Sequence, residues 1–376
     1  MPDYGTPITI RHLLTHASGL RERWSLMALT GNGPGTQAHT MTMILDLASR
    51  QKGLNFKPGA EFLYANTNYA MAAMVIERVS GQSLRRFTDQ RLFQPLGMSH
   101  TRWREDFRTV VLGRATAYAP AGDGFIANMP LTNVYGNGGL LTTVGDLGRY
   151  PDEGLSIAVM GNNGGIDPVD MGERVARQAL LATGHAGAIV SAPRTIAAAQ
   201  APTADLAAYQ GPFRNPVTGE LIQLQAADGH LTLKRGASEV LAPLGDNRFQ
   251  RPDGDLVTFA RSGSKAAEVT LSHGETRQRF VAVQAAQNDS AAFAGYVGIY
   301  YCPELDTRIS VILQNDVLVM RQPFAVGWIL SPSFAGGFTT RLRGTTTFVF
   351  DRTADGQVKG FSAWPNGVRN LAFAKQ

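Results

Sequence analysis

Polar and apolar positions change period about halfway along the chain. In the first half apolar residues recur at helical spacing in short bursts. Thr9 is placed to cap a helix through Ile10-Arg-His-Leu-Leu-Thr-His16, which stops at Ser18-Gly19. A longer helix is predicted after Thr67. Tyr69, Ala72, Ala73, Ile76 and Val79 fall on one face, polar Asn66-Thr67-Asn68 precede them, and Gly81 suits the position past the last turn. Leu155-Ser-Ile-Ala-Val-Met160 reads as a buried strand ended by Gly161-Asn-Asn-Gly-Gly165, and Pro168 opens a helix carrying Val175, Ala179 and Leu180.

From about Ala186 to Thr203 the chain turns to Ala, Pro and other small residues, the composition of a linker. Beyond it the period is two and the sequence repeats. Leu206-Ala-Ala-Tyr209-Gln-Gly211-Pro-Phe213 matches Phe293-Ala-Gly-Tyr296-Val-Gly298-Ile-Tyr300. Each copy continues with a strand (Leu221–Leu224, Ile309–Leu313), a turn (Asp228-Gly229, Asn315-Asp316) and a second strand (Leu231–Leu233, Leu318–Met320). From Tyr209 to Tyr296 and from Leu231 to Leu318 the offset is 87 residues. Val257–Phe259 then faces Phe348–Phe350, and Phe280–Val283 faces Leu371–Ala374. Short alternating strands joined by tight turns, occurring twice, predict two small antiparallel barrels in tandem.

A length of 376 residues favours more than one core. The net charge of +5 and pI of 9.4 are spread along the chain with no Lys/Arg block that would track phosphates, which argues against a nucleic-acid partner. One cysteine, Cys302, rules out an intrachain disulfide and reads as a packed thiol. The first residues lack the cationic start and apolar segment of a signal peptide, and no apolar run reaches the ~20 residues of a membrane span. The expectation is therefore a soluble chain without a visible address.

The segment Phe56-Lys-Pro58-Gly59-Ala-Glu-Phe62-Leu-Tyr64-Ala-Asn66-Thr-Asn68-Tyr69 resembles the Tyr-x-Asn region of the penicillin-recognising serine hydrolases: class C β-lactamases, DD-peptidases, D-aminopeptidases and related esterases. Three further stretches agree in order. They are Ile8-Thr-Ile-Arg-His-Leu-Leu-Thr-His-Ala-Ser-Gly-Leu20, Tyr135-Gly-Asn-Gly-Gly-Leu-Leu-Thr-Thr-Val-Gly-Asp146, and Pro151-Asp-Glu-Gly-Leu-Ser-Ile-Ala-Val-Met-Gly-Asn-Asn163. The resemblance covers roughly the first half of the chain, and the tandem barrels point to the D-aminopeptidase branch. Members of the family are often periplasmic or secreted.

That resemblance implies hydrolysis of an amide or ester through an acyl-enzyme, with no cofactor and no metal. A serine hydroxyl needs a base to take its proton and dipoles to receive the oxyanion. In the family a Ser-x-x-Lys turn supplies nucleophile and ammonium, a Tyr-x-Asn pair supplies base and substrate contact, and a Lys- or His-x-Gly strand completes the site. Tyr64 and Asn66 stand in the positions of the second element. The first would precede Ile8 by some tens of residues, so the nucleophile would sit before Met1. The third should lie between Asp146 and Pro151, where Asp146-Leu-Gly-Arg-Tyr150 runs straight into Pro151 as if a segment were deleted.

Local replacements are weak. Ser49-Arg-Gln-Lys52 and Ser262-Gly-Ser-Lys265 fit the spacing, which four-residue patterns do by chance in a chain this long. No Gly-x-Ser-x-Gly elbow occurs and no spacing supports a Ser-His-Asp set. His12 and His16, four apart, lack a third ligand, and Gly136-Asn-Gly-Gly139 lacks the rest of a phosphate loop, so it reads as a turn.

The expected architecture is multidomain α+β. A truncated β-lactamase-like α/β domain (1–185) is followed by a linker (186–204) and two lipocalin-like barrels (205–285 and 291–376). Loss of neighbouring strands would leave Leu155–Met160 as a bare apolar edge that favours self-association. The expected function is a β-lactamase-related serine hydrolase by descent, impaired or inactive in this chain, handling a small-molecule or peptide substrate. The alternatives are a non-catalytic ligand- or peptide-binding protein working through its barrels, and an incomplete sequence.

Overall fold

The computed structural model describes residues 1–33, 35–129, 131–147, 160–162, 167, 171–172, 174–175, 206–274, 276–286 and 290–376. The strand expected from Leu155, the Tyr150–Pro151 junction and the linker over 186–204 lie outside the described residues. So does most of the helix expected after Pro168, although residues 171–172 and 174–175 are helical. The chain divides into two compact units, Met1–Met27 with Asn32–Ser191 and Ala28–Gly31 with Ala192–Gln376.

The first unit is an α/β domain. Its helices include α1 (Ile10–Leu14), α2 (Arg23–Leu29), α3 (Met41–Ser49), α4 (Asn66–Ser80), α5 (Leu84–Thr88), which runs on into a π-helical turn over Asp89–Phe93, and α6 (Val144–Leu147). Short strands lie between them: β1 (His39–Thr40), β2 (Arg102–Trp103), β3 (Tyr118–Ala121), β4 (Gly124–Ala127), β5 (Thr132–Asn133) and β6 (Leu140–Leu141). β1 pairs parallel with β5, and the pairs β2–β6 and β3–β4 are antiparallel. Thr9 caps α1 as its sequence predicts. Its hydroxyl accepts from His12 N, and the His12 ring accepts from Thr9 N, a reciprocal box that satisfies two otherwise orphaned donors. α4 ends on Gly81 in the left-handed conformation, φ 68°, where a residue without Cβ is favoured.

The buried face of α4 differs from the predicted one. Thr67, Asn68, Ala70, Met71 and Ala73 are buried, whereas Val79 is 83% exposed. Apolar spacing marked the right helix and misjudged its face, because three polar residues of its first turn find buried partners.

The second unit holds two closed eight-stranded antiparallel barrels. The first consists of β7 (Gly211–Arg214), β8 (Leu221–Ala227), β9 (His230–Arg235), β10 (Ala237–Gly245), β11 (Arg248–Gln250), β12 (Leu256–Ser262), β13 (Lys265–His273) and β14 (Thr276–Ala282). β14 closes on β7 through Val281–Arg214 and Ala282–Phe213. The second consists of β15 (Gly298–Cys302), β16 (Thr307–Gln314), β17 (Val317–Gln322), β18 (Ala325–Phe334), β19 (Gly337–Arg341), β20 (Thr345–Arg352), β21 (Val358–Trp364) and β22 (Leu371–Lys375), closed by β15–β22 pairing.

The internal repeat maps strand for strand. The predicted turns are two-residue hairpins with positive φ at both central positions, Asp228 51° and Gly229 76° in one copy, Asn315 50° and Asp316 60° in the other. That geometry matches the twist of the flanking strands and suits Asn, Asp and Gly. Inward positions alternate with outward ones, and eight strands leave a lumen just wide enough for side chains to fill. Phe213, Ile222, Leu224, Leu233, Val257 and Phe280 fill the first barrel. Each such side chain stabilises by roughly 1.5–3 kcal/mol relative to exposure.

A one-turn helix precedes each first strand and drops a tyrosine into the barrel mouth. Tyr209 meets Phe249 and Phe259 at ring separations of 5.3 and 4.7 Å, and Tyr296 meets Phe338 and Phe350 at 5.0 and 4.9 Å. Trp364 of β21 reaches the first barrel. The Arg214 guanidinium stacks 4.6 Å from its ring centre, and Gly219 lies so close that a Cβ would come within 2.7 Å of the ring.

Candidate functional site

Tyr64 and Asn66 sit where an extended segment enters α4. Ala65, the N-cap, has extended backbone and no hydroxyl or carboxamide of its own to offer the first turn. Glu22, only 6% exposed, supplies the missing acceptor. One carboxylate oxygen accepts from Asn66 N at 2.5 Å, and the other accepts from Asn66 Nδ2 and from Trp24 N, each at 3.0 Å. A carboxylate at this end also complements the helix dipole.

With Nδ2 committed to a carboxylate, which only accepts, Asn66 must turn Oδ1 toward its other neighbours. Oδ1 accepts from the Tyr64 hydroxyl and from Asn137 Nδ2, both at 3.1 Å. Tyr64 is therefore a donor in this arrangement, and the residue is 55% exposed. Gly136 brings Asn137 this close. Its φ is +89°, and a Cβ there would stand 2.6 Å from the Tyr69 carbonyl oxygen of α4. Next to it, Tyr135 donates to Glu77 Oε1 at 2.7 Å, and burial pushes its phenol pKa well up.

His16 forms the opposite wall. Its ring centre lies 4.5 Å from that of Tyr64, 5.3 Å from Tyr69 and 5.9 Å from Phe62. Leu20 N donates to Ser18 Oγ, Ser18 donates to Asn68 Oδ1, and Asn68 Nδ2 is left to face His16 Nδ1 at 3.1 Å. Ala65 N also donates to Nδ1, at 3.3 Å. Two donors on one nitrogen assign the neutral ring with its proton on Nε2. Burial lowers the His16 pKa. Thr67 completes the join, accepting from Arg23 N and donating to the Arg21 carbonyl.

Other sequence candidates do not converge here. His12 is spent in the α1 capping box and His16 in the ring stack. Among the described residues no group of three His, Cys, Asp or Glu side chains could hold a metal ion. Ser49 ends α3 and donates to the Asp46 carbonyl. Ser262 and Lys265 face each other across the β12–β13 hairpin. Ser99, His100 and Asp146 come together, but Ser99 Oγ (3.1 Å) and Asp146 Oδ1 (3.9 Å) both approach His100 Nδ1, so no relay through the two ring nitrogens exists. Cys302 is buried in β15, and Gly136 and Gly139 form a turn with φ of 89° and 83°. Glu22 and Asn137 escaped sequence reasoning, since 44 and 71 residues separate them from Asn66. Their one signal was the run Asn66-Thr-Asn68 at the head of an apolar helix, which demands polar partners from elsewhere. Among the described residues no helix is long and apolar enough to cross a membrane.

The beta-lactamase family profile matches residues 1–188. A D-aminopeptidase of Cereibacter sphaeroides is 32% identical over 109 residues, covering 29% of this chain and 21% of the relative. One of Brucella anthropi is 30% identical over 142 residues, covering 37% and 26%. The matched stretch thus spans about a fifth to a quarter of those relatives' own length. The octameric penicillin-binding protein homologue of Pyrococcus abyssi superposes over 99% of this chain and 79% of its own at 16% identity, with a TM-score of 0.34, too loose to bear on function. With half its length matched by the profile, the chain belongs to the beta-lactamase family.

Proposed function

We propose that this protein descends from hydrolases that open amides or esters through an acyl-enzyme, in the manner of D-aminopeptidases, DD-peptidases and related esterases, and that the chain as it stands turns over little. Tyr64 and Asn66 are then the inherited Tyr-x-Asn pair. The observation that carries this reading is the Tyr64 hydroxyl donating to an Asn66 whose orientation Glu22 dictates. A general base must instead offer a lone pair to a nucleophile within about 3 Å. The partners of Tyr64 are Asn66 and the His16 ring, and the nearby Ser18 is buried and bonded to Asn68.

The same reading places the hydrolase-derived domain at 1–185, a linker at 186–204 and lipocalin-like barrels at 205–285 and 291–376. The molecule handled is small or a peptide, since dispersed basic residues build no nucleic-acid track. The test is exposure of the folded chain to a fluorescent penicillin and a fluorophosphonate, read by intact mass. No adduct is expected. A stoichiometric adduct would overturn the reading, and Ser49→Ala and Ser262→Ala would then identify or eliminate those serines.

Ligand binding by the barrels is a second reading, favoured by a cavity of ≈ 510 Å³ at the mouth of the second barrel.

A further inference from the structure

The two barrels differ at the turn that borders this cavity. In the first barrel Asn247, in the turn between β10 and β11, accepts the Tyr209 hydroxyl on Oδ1 at 2.6 Å. Its backbone carbonyl accepts from Phe259 N at 2.9 Å. In the second barrel the same backbone bond runs from Phe350 N to the carbonyl of Gly336 at 2.8 Å. Gly336 is thus the counterpart of Asn247, in the turn between β18 and β19. One ring pair matches in both barrels: Phe249 and Phe259 lie 5.5 Å apart at 85°, Phe338 and Phe350 5.5 Å apart at 84°, while Phe334 stands where the first barrel has Gly245. A carboxamide plugs one mouth, and a hydrogen atom stands in its place in the other.

We propose that the mouth of the second barrel is a binding site for a small aromatic or apolar monocarboxylate, whose carboxylate takes the place left by the missing carboxamide. The proposal deepens the barrel-binding reading and is independent of the hydrolase one. The buried rings of Tyr296, Phe338 and Phe350 form an apolar floor, with Phe334 beside them. Among the described residues nothing hydrogen-bonds the Tyr296 hydroxyl, whereas its counterpart in the first barrel has Asn247. An acceptor oxygen on the ligand restores that bond. The Arg352 guanidinium, 4.9 Å from the Tyr296 ring centre and exposed at the rim, favours an anion over a neutral amide. Asp351 borders the same rim and offsets part of the Arg352 charge, which disfavours a ligand with more than one negative charge. The volume lies within the ~300–1,000 Å³ usual for small-molecule sites.

Calorimetric titration of the whole chain with 3-phenylpropionate, with 3-phenylpropanamide as the neutral comparison, tests this. One equivalent of the acid should bind, about tenfold more tightly than the amide. Gly336→Asn should abolish binding by rebuilding the plug. Asparagine tolerates the φ of +74°, and the nearest atom to its Cβ is Phe350 O at 3.5 Å, so the variant should fold. Asn247→Gly should open the first mouth, where Arg261 lies over Tyr209, and raise the stoichiometry to two. No binding by the folded wild type, or binding that Gly336→Asn leaves intact, overturns the proposal. Neither outcome touches the acylation result, which reads Tyr64 and its surroundings.

Discussion

Glu22 holds Asn66 by both its backbone and its side-chain nitrogen, and through that grip it decides which way the amide faces Tyr64. One buried carboxylate thus caps a fifteen-residue helix and sets the hydrogen-bond polarity of the candidate site. Glu22→Gln replaces an acceptor-only group by one that also donates. It should lower the stability of the first unit by about 1.5–3 kcal/mol, the range for hydrogen bonds to charged groups. Urea unfolding of the full chain, followed by tryptophan emission, measures it. An unchanged midpoint would mean that the helix start is held by its other ties alone.

Gly136 makes a sharper case. Gly136→Ala meets both the left-handed φ and the Tyr69 carbonyl, and should cost about 2–4 kcal/mol. Gly113, φ +72° with nothing within 4 Å of an added methyl, serves as control, and Gly113→Ala should cost only about 1–2 kcal/mol. Equal losses in thermal or urea unfolding would remove the close approach as the reason for glycine at 136.

The exposed end of α4 predicts tolerance. Val79→Lys should change stability by no more than about 0.5 kcal/mol, because Val79 is 83% exposed. Ala73→Val in the same helix, where Ala73 is 2% exposed, should cost about 1–3 kcal/mol by overpacking. Comparison of the two denaturation midpoints decides it.

Acidification should weaken the first unit before its carboxylates titrate. Burial lowers the pKa of both His16 and His39 below the ordinary 6.5. The unfolded chain therefore binds more protons between each folded value and 6.5. Stability from these rings is full above 6.5 and is lost as pH falls from there through the folded values. Urea midpoints between pH 7.5 and 5.5 should decline, and a His16→Asn, His39→Gln double variant should flatten the slope. A slope that survives both substitutions belongs to other groups.

Local signals were readable and distant ones were not. Thr9, Gly81 and the Asp228-Gly229 turn each act on backbone within a few residues, so cap and turn chemistry revealed them. The tandem barrels were readable because each constraint is written twice. The face of α4 was hidden, because Asn66, Thr67 and Asn68 are buried or half-buried only by virtue of the chain between His16 and Trp24. The open mouth of the second barrel was hidden too, since Gly336 looks like any turn glycine until Asn247 is seen in its place. In the candidate site, the sequence pointed to Tyr64 and Asn66 as candidates, while Glu22 and Asn137, which hydrogen-bond Asn66, gave no such signal.

The matched strand order of the barrels also has a kinetic side. β14 must skip the nearby β15 and return to β7, more than sixty residues back, for the first barrel to close. Pairing with the next strand along would cost less loop entropy and would splice two half-built barrels into one open sheet. The turn at Ala294–Tyr296 stands at that junction and packs Tyr296 against Phe338 and Phe350 of the second barrel, a contact that favours pairing of β15 within that barrel. The two mouth tyrosines, each packed within its own barrel, thus mark where one barrel ends and the next begins along the chain.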